Sequence, residues 1–381
     1  MRLLSRILII LLLLICLFFL SQKINVFPLY DFLAYWTAGN ITVHGGNPYS
    51  PTEMFALQKQ IGWQLPDPLM MFNPPWLLTL AMPFSLMPYA LSRMIWFLLQ
   101  LLILFIAADT LWKVYAGEPK QRWLAWLVVL AFGPTLQTLK VGQVTPFMTL
   151  GLAGFIYFLY KEKPFWAGVM ASLGMFKPHL LYLFLAVLIL WILKEKQWRV
   201  LSGLIAGVFF PLLLALLVNH NLITQYLYAV PNYPPTFWIM ATIGSTLRLL
   251  FGEELFYLQF IPSIFGLVWL FYYWLKNSNH WDWKKNLPLI ILISIVTTSY
   301  GWAHDLSILV VSIIPIVVLY LHFRLTLKTG FIFFAFWTVS LLNTFLNRDQ
   351  HWFWWLASFF LAWFFTAKHW LSDQSNSVVE M

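Results

Sequence analysis

Cysteine is almost missing from this chain: Cys16 is the only one in 381 residues, and it lies inside an apolar run. A lone thiol excludes an intrachain disulfide, a C-x-x-C redox pair and a thiolate metal site. Acids are nearly as sparse. Aspartate and glutamate number 14, and charged residues of both signs make up 10% of the chain, too little to cover the surface of a water-soluble domain. No H-E-x-x-H, no P-loop lysine motif and no dinucleotide glycine fingerprint occurs either, which removes the commonest metalloprotease, nucleotide and NAD signatures. What fills the chain instead is apolar: 61% hydrophobic and 19% aromatic residues define an integral membrane protein. At roughly 20 residues per span there is room for about ten to twelve transmembrane helices in one all-α membrane domain, plus one or two substantial loops.

Apolar runs fall at about 3–20, 88–112, 122–136, 143–160, 164–177, 178–194, 199–218, 256–275, 286–303, 304–321, 329–346 and 352–369. The opening "MRLLSRILIILLLLICLFFLS" has the basic flank of a signal peptide. Its apolar core is too long, and no small-x-small cleavage site follows, so 1–21 reads as a retained first transmembrane helix. The chain then divides into an extracytoplasmic loop at 22–87, a bundle at 88–218, a second outer loop at 219–255, a bundle at 256–370 and a cytoplasmic tail at 371–381. With the amino terminus cytoplasmic, 16 lysines and arginines fall inside and 7 outside, namely Lys23, Lys59, Arg93, Lys140, Lys177, Arg248 and Arg348. That asymmetry supports this orientation in a cell membrane. The net charge of +9 then reads as topogenic loops beside anionic lipid, with no nucleic acid as partner.

Short charged connections such as "YKEKPF" and "LKEKQWR" mark the cytoplasmic side, so function is expected in the longer outer loops. "SPTEMFALQKQIGW" carries a capping-box pattern, with Ser50 as N-cap, Pro51 at the first helical position and Glu53 three residues after the cap. Met54, Leu57 and Ile61 recur opposite Gln58 and Lys59, which suits a short helix lying in the membrane interface. The prolines of "FNPPWLLTLAMPFSLMPYA" predict a broken segment leading into the next span. On the outer side the ionisable residues are Asp31, Asp67, Lys140, Lys177, His179, Arg248, His304, Asp305, Arg348 and Asp349. Charge near membrane depth is costly unless paired or hydrated, so the set points to a polar cavity, although Lys140 and Arg348 read more simply as snorkelling side chains. His304 with Asp305 reads equally as a polar break between two spans.

"YDFLAYWTAGNITVHGGNPY", "FNPPWLLTLAMPFSLMP", "LKVGQVTPFMTLGLAGFIYFLYKEKPFWAGVMASLGMFKPHLL" and "SYGWAHDLSIL" together resemble the successive motifs of glycosyltransferase family 87, in order from about residue 28 to about 315. The resemblance implies a multi-pass fold of the C-type glycosyltransferase class and a polyprenol-phosphate-mannose-dependent mannosyltransferase. It implies a catalytic or acceptor-binding aspartate in the first outer loop, which falls on Asp31. It implies a cation for the donor phosphate, which falls on Lys177, and a histidine at the later "W-x-H", which falls on His304. Where many relatives show two adjacent histidines, this chain has His304 followed by Asp305. Lys140, Gln143, Arg248, Asp305 and Tyr35 complete the set expected to bind the donor phosphate or substrate.

The chemistry of such a reaction matches those residue types. A sugar on a polyprenyl phosphate brings its own leaving group, so the protein needs one carboxylate to take the acceptor proton and one or two cations to hold the departing phosphate. No cofactor is required, although a divalent ion at the donor phosphate stays open, and no metal ligands stand at suitable spacing. Tyr30, Tyr35 and Trp36 around Asp31 could stack on sugar faces or anchor the interface. The expected function is transfer of a hexose, mannose, from a polyprenyl-phosphate donor to a glycolipid or glycan acceptor at the outer face, by single displacement with inversion. A transporter or flippase would show matching broken helices in two halves, and no such repeat is visible. A noncatalytic assembly subunit would leave the outer ionisable residues unexplained.

Overall fold

In the computed structural model the residues described are 30–236, 238–321, 327–346 and 349–379. The expected first span, Cys16 and Arg348 lie outside them. Every regular element among the described residues is helical. In chain order they are α1 (Tyr30–Val43), α2 (Pro51–Gln60), α3 (Leu78–Ser85), α4 (Tyr89–Val114), α5 (Trp123–Ala131), α6 (Gly133–Val141), α7 (Thr145–Tyr160), α8 (Pro164–Ser172) and α9 (Tyr182–Glu195). There follow α10 (Trp198–Val218), α11 (Leu222–Asn232), α12 (Ile243–Phe251), α13 (Ile261–Asn277), α14 (Trp283–Thr297), α15 (Val310–Leu321), α16 (Leu327–Phe345) and α17 (Leu356–Val379).

This is the multi-pass all-α architecture that the composition demands, and each apolar run within the described residues forms a helix or a helix pair. By length and hydropathy, four described helices can cross a bilayer: Tyr89–Val114, Trp198–Val218, Phe256–His280 and Ala303–Leu321. A fifth possibility is the pair 119–131 and 133–141, bent by 65°. Apart from α17, which is 24 residues long, the others are shorter than the roughly 20 residues a straight span needs, because prolines and glycines interrupt the runs. Helix α17 continues through the expected tail at 371–381 as far as Val379.

The chain forms two compact units. The first comprises 30–102, 139–143 and 209–234, the second 103–138, 144–208, 235–321 and the described residues beyond. In the first, α1 is buried on nearly all sides and crosses α3 so closely that a Cβ on Gly39 would lie 2.9 Å from the Ala81 carbonyl carbon and oxygen. Asn40 Nδ2 donates to the Ser85 carbonyl (3.2 Å) and Trp36 Nε1 to the Met87 carbonyl (3.1 Å), which ties α1 to the turn after α3. Phe32 stacks between Tyr89 and Trp96. Tyr35 and Trp36 are therefore buried side chains, whereas Tyr30 is 47% exposed.

Ser50 caps α2 as expected, its hydroxyl accepting the Glu53 N–H. The Glu53 carboxylate does not close the box. It accepts the Asn47 N–H at 2.9 Å instead, bracing the preceding turn. Gln58 also departs from expectation: it is fully buried on the Met54 side, where its amide makes paired bonds to the Leu69 backbone at 2.8 and 2.9 Å. A buried amide with both ends satisfied is tolerated, and here it pins the irregular segment 62–74 to α2.

In the second unit, α8 and α10 meet through small residues, since a Cβ on Gly168 would sit 2.0 Å from the Val200 carbonyl oxygen and one on Gly203 1.9 Å from that of Phe165. Such close backbone approach is how helices associate where lipid supplies no hydrophobic drive. Phe155, Phe184, Trp191 and Trp283 interlock edge to face in the core of the same unit.

Candidate active site

In the first unit the site is built on the opening turns of α1. Asp31 and Tyr35 stand four residues apart, hence on one helix face, and Gln143 reaches both. Gln143 Nε2 donates to Asp31 Oδ2 at 2.8 Å, and the Tyr35 hydroxyl donates to Gln143 Oε1. Asp31 itself is partly exposed, whereas Tyr35 and Gln143 are buried. The position of Gln143 follows from its neighbour: Gly142 takes φ +77°, a conformation glycine adopts without a Cβ clash, and so ends α6 and reverses the chain. The Gly142 carbonyl accepts from Trp96 Nε1 at 2.8 Å, and the Gln143 carbonyl accepts from Gln100 Nε2. Lys140, one turn earlier, is exposed.

In the second unit Lys177 and Asp305 form an ion pair, Nζ to Oδ1 2.8 Å, with Asp305 2% exposed. Lys177 ends the 3-10 turn Leu173–Phe176 and precedes Pro178, so the chain breaks there and no helix continues. Asp305 sits in the 3-10 segment Ala303–Leu309, where its Oδ2 accepts the Trp302 N–H at 3.1 Å and its Oδ1 a bond from Thr145 Oγ1 at 3.2 Å. His304 Nε2 lies 3.9 Å from the same Oδ1, and its ring stacks on Trp302 with centroids 6.2 Å apart. Thr138 holds the His304 carbonyl at 2.5 Å. The expected polar break is real but comes earlier, at 298–302, and His304 and Asp305 open the next helical segment.

Arg248 is a different case. It is 3% exposed, and its guanidinium bonds the carbonyls of Glu253, Thr236 and Trp238 and the Gln259 side chain. Its donors thus hold the loop between α11 and α13 together. The arrangement joins Asp31, Tyr35 and Gln143 in one unit and Lys177, His304 and Asp305 in the other. Reading the sequence missed Thr145, whose only signal is the Thr-Pro pair opening α7, and Gln100, which has none. Among the described residues no three His, Cys, Asp or Glu side chains gather to hold a metal ion.

The all-helical fold, with four described helices long and apolar enough to cross a bilayer, marks a multi-pass membrane protein. Its family is given by comparison: the model of Glycosyltransferase family 87 matches residues 72–284, more than half of the chain, and the protein belongs to that family. It is a membrane glycosyltransferase. Lys140, Gln143, Lys177 and Arg248 fall inside the matched segment, whereas Asp31, Tyr35, His304 and Asp305 fall outside it. No curated protein and no solved structure matches the chain.

Proposed function

We propose that the enzyme transfers a hexose, mannose, from a polyprenyl-phosphate donor to a glycolipid or glycan acceptor at the outer face of the cell membrane, with the amino terminus cytoplasmic. The acceptor oxygen attacks the sugar C1 as the C1–O bond to phosphate breaks, so the configuration inverts. The electron pair of that bond leaves with the polyprenyl phosphate, and the acceptor proton passes to the Asp31 carboxylate. Lys177 stands by the departing phosphate and His304 assists. Written this way, the reaction needs no cofactor.

The observation that carries this reading is Asp31: a partly exposed carboxylate held at 2.8 Å by a buried amide is the kind of oriented, accessible base that proton transfer requires. Asp31→Asn keeps the shape and the hydrogen bonding but cannot accept a proton. Purified Asp31→Asn should bind the donor and transfer radiolabelled mannose from a synthetic short-chain polyprenyl phosphate at least about a hundred times more slowly than wild type. Turnover near the wild-type rate would remove Asp31 from the chemistry.

A further inference from the structure

We propose that Gln143 is a positioning residue for Asp31 and that Tyr35 sets the direction in which its amide points, an inference that rests on the role given to Asp31 above. An amide has two unlike ends. One accepts and one donates, and only the donating end can meet a carboxylate favourably. Gln143 spans residues i and i+4 of one helix, with Oε1 toward Tyr35 and Nε2 toward Asp31 at 2.8 Å. The Tyr35 phenol, 3% exposed, donates its proton to Oε1 and so commits Nε2–H to the carboxylate. A flipped amide would put an oxygen against Asp31.

The backbone beneath the amide is held as firmly as its head. Trp96 Nε1 binds the Gly142 carbonyl at 2.8 Å, Gln100 Nε2 binds the carbonyl of Gln143, and the +77° φ of Gly142 directs the chain into this turn. An interior amide fixed at its carbonyl, its Oε1 and its Nε2 is the support that keeps a catalytic carboxylate in one orientation. A merely packed glutamine would need none of this directionality. Asp31, partly exposed, could satisfy itself with water. The bond from Gln143 therefore contributes orientation more than burial.

The test uses the full-length purified enzyme, with radiolabelled mannose on a synthetic short-chain polyprenyl phosphate as donor and a membrane extract as acceptor, assayed across pH. Tyr35→Phe should fold normally and lose about tenfold or more in kcat, because small misplacements of reacting groups are costly. Its KM for the donor should stay within about twofold of wild type, because a positioning role, unlike the donor-binding role expected of Tyr35 from the sequence, leaves the donor contacts in place. Gln143→Glu sets a second carboxylate against Asp31, so the acidic limb of the kcat profile should move to higher pH. A packing role would lower the folded yield without moving that limb. If both variants fold and show wild-type kcat and an unmoved limb while Asp31→Asn is inactive, the positioning role is wrong and the base assignment stands. If Asp31→Asn turns over like wild type, the base assignment itself fails. Should Gln143→Glu not fold, kcat of Tyr35→Phe decides the matter alone.

Discussion

Breaking the Lys177–Asp305 pair from one side should cost more than removing it altogether. At 2.8 Å and an effective dielectric of about 20 the attraction is about 6 kcal/mol before desolvation is counted. Desolvation of the two ions offsets most of that, several kcal/mol for each, so the pair as a whole stabilises the fold little. Removing one partner leaves the other buried and uncompensated, at a cost of about 3–5 kcal/mol. Lys177→Met and Asp305→Leu should each lower stability by that amount, and the double variant by no more than either alone, giving a coupling of at least about 3–5 kcal/mol. Asp305→Asn separates charge from hydrogen bonding, because an amide oxygen can still accept from the Trp302 N–H and Thr145 Oγ1. It should fall between wild type and Asp305→Leu. The assay is equilibrium unfolding in detergent followed by tryptophan fluorescence. Additive losses, or an Asp305→Asn variant as stable as wild type, would refute the reasoning and reduce the pair to an ordinary surface contact worth under about 1 kcal/mol.

Gly39→Ala places a Cβ 2.9 Å from the backbone of Ala81, where no side-chain motion can relieve it, so α1 must shift. The expected loss is about 1–3 kcal/mol of stability with reduced transfer, measured by the same unfolding and transfer assays, and an unchanged variant would refute the close packing. Topology is tested in a Cys16→Ser background with cysteines placed at His44 and Asn232, expected outside, and at Glu162, expected inside. In intact cells a membrane-impermeant thiol reagent should label the first two and not the third, and the reverse pattern would invert the proposed orientation.

Local physics was legible in the sequence and distant pairing was not. Apolar runs gave the helices, and Ser50 with Pro51 gave the start of α2, because both signals lie within a few neighbouring residues. Gln58 misled: its spacing from Met54 puts it on the buried face, yet its polarity argued for solvent, and the partner that reconciles the two is a backbone segment eleven residues away. The setting of Arg248 was hidden for a related reason. Backbone carbonyls carry no sequence signature, so an arginine engaged with three of them looks like one awaiting a ligand. Asp31 and Gln143 are 112 positions apart and Lys177 and Asp305 are 128 apart, so a single sequence could name each residue but not its partner.

The contrast between the two buried cations bears on how a donor phosphate would be met. Arg248 cannot turn to a ligand without releasing the Thr236, Trp238 and Glu253 carbonyls, and its loop would come apart with it. Lys177 is held by one carboxylate, and that carboxylate keeps two other donors, Thr145 and the Trp302 N–H, if the ammonium leans away. On the proposed reaction the donor phosphate carries one negative charge as a diester and gains a second as the C1–O bond breaks. A cation beside that phosphate favours the transition state over the ground state, paired or not, because the charge it meets grows as the bond breaks. Pairing with Asp305 lowers the net charge that Lys177 offers to both states by the same factor, so on the proposed reaction the ammonium would exert its full effect only as it leans from that carboxylate toward the phosphate.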